Sequence, residues 1–136
     1  MSGAGIIIYR YFDDNIKFLA LEVDAKMALK NGGKYDLPKG TGEPGESVEE
    51  CAIRETFEET SILVSAAELS NEYLVSGPLT MFYSETIQDP KILPQKDTGI
   101  FEHMDYKWVS DIELYANCYQ YLKPFVKWAT ASIQEK

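Results

Sequence analysis

Apolar and polar positions along the chain alternate between short β-type stretches and two helical ones. Residues 6–11 and 16–23 are rich in β-branched and aromatic side chains and are separated by the turn formers Asp13, Asp14 and Asn15, which predicts a hairpin. A polar segment, 24–34, follows, with Asn31, Gly32 and Gly33 as its flexible point. Residues 47–60 read as a helix: Ser47 and Glu50 make the S-x-x-E of a capping box, and Ile53 and Phe57, four apart, share the face opposite the acidic residues. Residues 62–64 predict a short buried strand, and 71–75 and 79–87 two more around Gly77-Pro78. Residues 88–99 hold two prolines and a glycine and form a long loop of the kind that lines sites. A last strand is expected at 106–109. From about Tyr119, the spacing of Leu122, Phe125, Trp128 with Ala129, and Ile133 predicts an amphipathic helix with Pro124 in its first turn. The sum is an α/β fold, a mixed β-sheet between helices.

At 136 residues and 45% hydrophobic content the chain can bury the core of one domain, and a six-stranded doubly wound sheet would not fit. The 22 acidic residues against 13 basic ones give a net charge of −9, which repels nucleic-acid backbones and anionic lipid. A nucleic-acid partner is therefore disfavoured, although Lys26, Lys30, Lys34 and Lys39 could still attract one phosphate chain. Cys51 and Cys118 show no paired or metal-type spacing and read as small buried hydrophobes of a reduced, cytoplasmic protein. No signal-peptide pattern and no apolar run of about 20 residues argue for membrane targeting.

Gly40, Gly42 and Gly45 spell G-x-G-x-x-G, the turn that cradles pyrophosphate in dinucleotide-binding folds. The match is false. Pro44 interrupts the loop, Glu43 and Glu46 would repel a pyrophosphate, and the helix begins at Ser47, after the third glycine. The chemistry lies further on, in Arg54-Glu55-Thr56-Phe57-Glu58-Glu59. At about 100° per residue, Glu55, Glu58 and Glu59 crowd one stripe, and like charges at these spacings cost an isolated helix about 0.2–0.5 kcal/mol per pair. Such a stripe is either a solvated acidic face or a hard-cation site, since Mg²⁺ is commonly held by a few carboxylates together with substrate phosphates.

Spacing separates the two readings. Gly40, Glu46, Arg54, Glu55, Glu58 and Glu59 fit G-x5-E-x7-R-E-U-x-E-E-x-G-U, where U is apolar, and so resemble the Nudix box of the Nudix hydrolases. At average residue usage, six such matches arise by accident with a probability on the order of 10⁻⁷ to 10⁻⁸ per position. Ser61 stands where the box has glycine, at a helix end that needs the left-handed conformation. The resemblance implies an α/β/α sandwich and water attack on phosphorus with Mg²⁺ or Mn²⁺. It implies Glu55, Glu58 and Glu59 as metal ligands with a backbone carbonyl of Lys39 or Gly40, Arg54 orienting Glu55, Glu46 bracing the loop on the helix, and Lys39 meeting phosphate.

The start A-G-I-I-I-Y-R, the strand F-L-A-L-E, the segment L-P-K-G-T-G-E-P-G-E and the run Glu102-His103-Met104-Asp105-Tyr106-Lys107-Trp108 resemble the asymmetrical diadenosine tetraphosphate hydrolases within that family. By that resemblance Glu102 reaches the metals or the water, His103 contacts phosphate, and Tyr83 stacks on adenine. Either Glu55 or Glu102 is the general base. The reading is a cytoplasmic hydrolase that cleaves dinucleoside polyphosphates. Its rivals are a pyrophosphohydrolase of nucleoside triphosphates, nucleotide sugars or RNA 5′ ends, and a Nudix-fold sensor that binds a nucleotide without turnover. Oligomeric state is not legible in the sequence.

Overall fold

The computed structural model describes residues 2–95 and 97–135. Its strands are β1 (Gly3–Phe12), β2 (Asn15–Glu22), β3 (Tyr35–Asp36), β4 (Lys39–Thr41), β5 (Leu74–Ser76), β6 (Leu79–Glu85) and β7 (Asp105–Val109), and its helices α1 (Ala25–Asn31), α2 (Val48–Thr60), α3 (Asp111–Asn117) and α4 (Lys123–Gln134). All seven strands join one mixed sheet.

Strand β1 is its axis. It runs parallel to β6 from Gly3↔Leu79 to Tyr9↔Glu85, while on its other edge only the C-terminal part, from Tyr9↔Phe18 to Phe12↔Asn15, pairs with β2. Where the hairpin diverges, the chain from Tyr35 to Thr41 enters: β3 pairs with the end of β2, and β4 with Gly3, Ala4 and Gly5 of β1. Gly5 permits this approach, since a methyl group there would overlap the Pro38 carbonyl that accepts the Ile6 N–H. Strand β7 covers the rest of β2, from Phe18↔Val109 to Glu22↔Asp105.

Alternation along β1 sorts side chains to two faces. Ala4, Ile6 and Ile8 pack with Leu19, Leu21 and Phe82 under α2. Ile7 and Tyr9 pack with Ala20, Met81, Tyr83, Leu114, Phe125, Ala129 and Ile133 under α3 and α4. The helices thus cover both faces, the expected α/β/α sandwich.

Five local expectations change. Residues 62–64 are not a strand, although Ile62 and Val64 are buried: the Gln88 side chain accepts the Leu63 N–H (3.0 Å) and donates to its carbonyl (2.8 Å), taking the place of a neighbouring strand. The polar segment contains α1, whose N-cap Asp24 accepts the Met27 N–H at 2.8 Å and whose end is closed by Gly32 at φ 72°. It buries no residue, so no apolar stripe announced it. Helix α3 is likewise short, capped by Ser110, and buries Leu114. The C-terminal helix starts at Lys123, after a 3-10 turn at Gln120–Leu122.

The fifth change is the phase of α2. Its buried face is Cys51, Ala52, Thr56 and Thr60, small side chains that let the helix lie close to β1, whereas Phe57 is 45% exposed. Ser61 closes the helix at φ 64°, the left-handed conformation expected there, and its hydroxyl donates to the Lys91 carbonyl at 3.2 Å. Ser61→Gly is expected to raise the Tm, because relieving a left-handed L-residue is worth about 1–2 kcal/mol, more than the roughly 0.5–1.5 kcal/mol of an ordinary hydrogen bond. A thermal melt that falls instead would show that the tie to Lys91 outweighs the strain.

Candidate active site

The capping box sets the phase of α2. Ser47 Oγ accepts the Glu50 N–H at 3.1 Å and Glu50 Oε1 accepts the Ser47 N–H at 2.9 Å. Two turns on, the Arg54 guanidinium is engaged all round. Its Nε and Nη2 donate to the two oxygens of Glu46 (2.7 and 3.0 Å), Nη2 also donates to the Thr41 carbonyl (3.1 Å), and Nη1 donates to Glu55 (2.8 Å) and Glu58 (3.1 Å). One side chain therefore ties the 41–46 loop to the helix and aims two carboxylates. The Arg54 hydrogen bond, with the Glu43 N–H, holds the Glu46 carboxyl at about 2.

Glu55, Glu58 and Glu59 line a cleft of about 390 Å³ together with Leu93, Pro94 and Gln95 of the long loop, Glu102 and His103. Burial raises the Glu55 carboxyl, with Glu58 and Glu102 adding to the rise against the Arg54 hydrogen bond. A methyl group on Gly40 would overlap the Glu55 carboxylate, so glycine at that position makes room for it. Glu59 is deeper. It accepts the Lys39 N–H at 3.2 Å, and burial followed by the charges of Glu102 and Asp36 pushes its carboxyl well above the ordinary value.

Asp36 was not among the expected site residues. It lies in β3, 2% exposed, and accepts from the Leu37 N–H (2.8 Å) and Lys39 Nζ (3.1 Å) and pairs with His103 Nε2 (2.9 Å). Burial would raise its carboxyl, but His103 and Lys39 together hold it below the usual range. Ligand-type atoms of Asp36, Glu102 and His103 lie within 4.8 Å of one another. Its one sequence signal is an acid between the apolar residues Tyr35 and Leu37 just before the L-P-K-G run.

A family model for the NUDIX domain matches residues 2–128. The chain belongs to the NUDIX family. Its structure is similar to that of a C. elegans Ap4A hydrolase in a binary complex, at 23% identity and TM-score 0.75 over 99% of this chain and 100% of that one. It is also similar to a NUDIX hydrolase of Listeria monocytogenes (16%, TM-score 0.72, 99% and 95%) and to a MutT protein of Methanosarcina mazei (23%, TM-score 0.60, 93% and 90%). These likenesses are of fold. Comparison with curated protein sequences gives no significant match.

On this NUDIX fold, Arg54, Glu55, Glu58, Glu59, Glu46, Gly40 and Glu102 come together around one cleft or its supports. Three expectations do not match their positions. Tyr83 is 3% exposed in the core, its ring 5.4 Å from Trp128 and 6.3 Å from Tyr9, and so offers no face for adenine. The side chain of Lys39 is no free cation: its ammonium meets Asp36 and the rings of Tyr119 and Tyr121 (5.7 and 5.5 Å). His103, expected against phosphate, is buried and spends Nε2 on Asp36.

Proposed function

We propose that this NUDIX protein is a metal-dependent pyrophosphohydrolase that cleaves dinucleoside polyphosphates, diadenosine tetraphosphate to ATP and AMP, by attack of water on phosphorus. The observation that carries the reading is the convergence of Glu55, Glu58, Glu59 and Glu102 on one cleft, with a single guanidinium aiming two of them. The substrate reading is supported by the sequence segments outside the box and by similarity of fold, over 99% of this chain, to an Ap4A hydrolase.

The donor set fits a hard divalent cation: all its side-chain donors are carboxylate oxygens. Glu59 stands beside Glu102, Asp36 and Glu55, with the charge of Lys39 set against the three. Bound Mg²⁺ or Mn²⁺ supplies charge neutralisation on the phosphates and a more acidic water. Glu55, Glu58, Glu59 and Glu102 would hold it together with the Gly40 carbonyl, a group fixed by β4 and by the Cys51 thiol that donates to it at 3.5 Å. Arg54 keeps Glu55 in one rotamer, so that Glu55 or Glu102 receives the proton of the attacking water. Asp36 and His103 fix one another at the end of the cleft where Glu102 stands.

Chromatography of products after incubation with diadenosine tetraphosphate, nucleoside triphosphates, a nucleotide sugar and a triphosphorylated RNA end tests this reading. ATP and AMP in equal amounts are expected. Intact diadenosine tetraphosphate beside a consumed triphosphate would reject the substrate, and a panel left wholly intact would favour a sensor. Chelation by EDTA is expected to stop turnover and added Mg²⁺ to restore it; unchanged turnover in chelator would remove the metal from the reaction.

A further inference from the structure

With Tyr83 in the core, the base of a nucleotide held at the carboxylates needs another surface. The cleft supplies one. Phe57 sits one residue before Glu58, is exposed, and lines the same cleft as Glu55, Glu58 and Glu59. Leu93 and Pro94 line it from the long loop.

That loop is held in place by named bonds. Lys91 N–H donates to the Thr60 carbonyl at 2.7 Å and the Ser61 hydroxyl to the Lys91 carbonyl at 3.2 Å, which fixes the loop's start to the end of α2. Beyond Pro94, the Gln95 side chain donates to Glu102 at 3.0 Å, and Gln95 N–H bonds the Ile100 carbonyl at 2.8 Å. Leu93 and Pro94 are therefore carried between two fixed points of the loop, Lys91 on the end of α2 and Gln95 on Glu102.

Single exposed apolar side chains are ordinary on protein surfaces. Exposed Phe57 and Pro94 and half-buried Leu93 sharing one cleft with five carboxylates, Glu55, Glu58, Glu59, Asp97 and Glu102, are a different matter, because apolar walls deprive nearby charges of water. An occupant that is charged at one end and flat and apolar at the other satisfies both halves: anhydride oxygens toward the carboxylates, a ring on the aromatic face.

We propose that Phe57, with Leu93 and Pro94, forms a seat for one nucleobase of the substrate, deepening and resting on the hydrolase reading above. Phe57 stacks on the base, Leu93 and Pro94 cover its other side, and Gln95 and Thr98, which share a hydrogen bond of 3.1 Å, stand at its edge. Stacking tolerates any base, because every base presents a π-face, so the seat selects for a nucleoside and not for adenine.

The test is steady-state kinetics on diadenosine tetraphosphate with Mg²⁺, for wild type, Phe57→Ala, Phe57→Trp and Leu93→Ser, with a thermal melt of each. Base–aromatic stacking of the usual strength predicts a KM raised about 5- to 100-fold in Phe57→Ala, with a much smaller change in kcat. Phe57→Trp restores KM, and Leu93→Ser raises it from the opposite wall. Replacing adenine by guanine or uracil in the substrate leaves the Phe57→Ala effect in place. An unchanged KM in Phe57→Ala, or an equal loss of kcat with KM constant, overturns the seat while wild-type turnover leaves the hydrolase reading standing. Absence of wild-type turnover on every nucleotide tested rejects both.

Discussion

Glu59→Gln is expected to lower kcat on diadenosine tetraphosphate at least about 100-fold, the range typical for loss of one preorganised electrostatic group, and to raise the Tm of the metal-free protein. The two effects have one cause. Glu59 is a half-buried carboxylate close to Glu102 and Asp36, and a neutral isostere keeps the acceptor for the Lys39 N–H while removing the repulsion. Relief of about 1 kcal/mol would raise the Tm of a chain of this size by roughly 3–5 °C. The sign with pH follows from linkage. The folded value lies above the ordinary 4.5, so the Glu59 contribution to stability is full below pH 4.5 and is lost as pH rises through the folded value. The Tm advantage of glutamine therefore vanishes in acid and is greatest near neutrality. Glu58→Gln is expected to lose activity to a similar degree without the gain, because Glu58 is more exposed and already shares Arg54. Wild-type turnover in both variants would remove the metal argument, and equal melting curves at pH 7 and pH 4 would remove the electrostatic one.

What was legible in the sequence was what short range determines. The capping box and the hairpin follow from fixed spacings, and so does the crowding of Glu55, Glu58 and Glu59, since residues three and four apart on a helix are neighbours. What sequence reading missed was decided by distant neighbours. Asp36 gains its role from His103, 67 residues away, at a point where β1 and β2 part. Tyr83 has the side chain of a stacking platform, but its strand, paired beside β1, turns it toward Trp128 and the core. Phe57 reads as a packing residue beside Ile53, yet α2 buries alanine, cysteine and threonines. The helix phase that buries Thr56 is the one that puts Phe57 on the cleft. The same local rules that found the carboxylates could not find it, since its position is a consequence of close packing on the opposite face.

Arg54→Ala is expected to be the most destabilising single change, costing about 2–4 kcal/mol of stability, as the loss of several charge-assisted hydrogen bonds does, and about 10- to 100-fold in turnover, as removal of an orienting partner does. Arg54→Lys separates the parts. Lysine keeps the charge beside Glu46, Glu55 and Glu58 but cannot reproduce the planar fork that reaches Glu46 with two donors and Glu55, Glu58 and the Thr41 carbonyl with the rest. It should recover part of the Tm and little of the turnover, and a lysine variant with wild-type kcat would show that charge alone positions Glu55. Acid melts add a second check. Arg54 holds the Glu46 carboxyl at about 2, below its ordinary 4.5, so this contribution to stability is present above pH 4.5 and is lost as pH falls toward 2. Wild type should lose stability across that window more steeply than Arg54→Ala, and the difference between their melting temperatures should shrink toward pH 2. A gap that stays constant from neutrality to pH 2 would mean that Arg54 stabilises the fold by packing its stem, not by gripping Glu46.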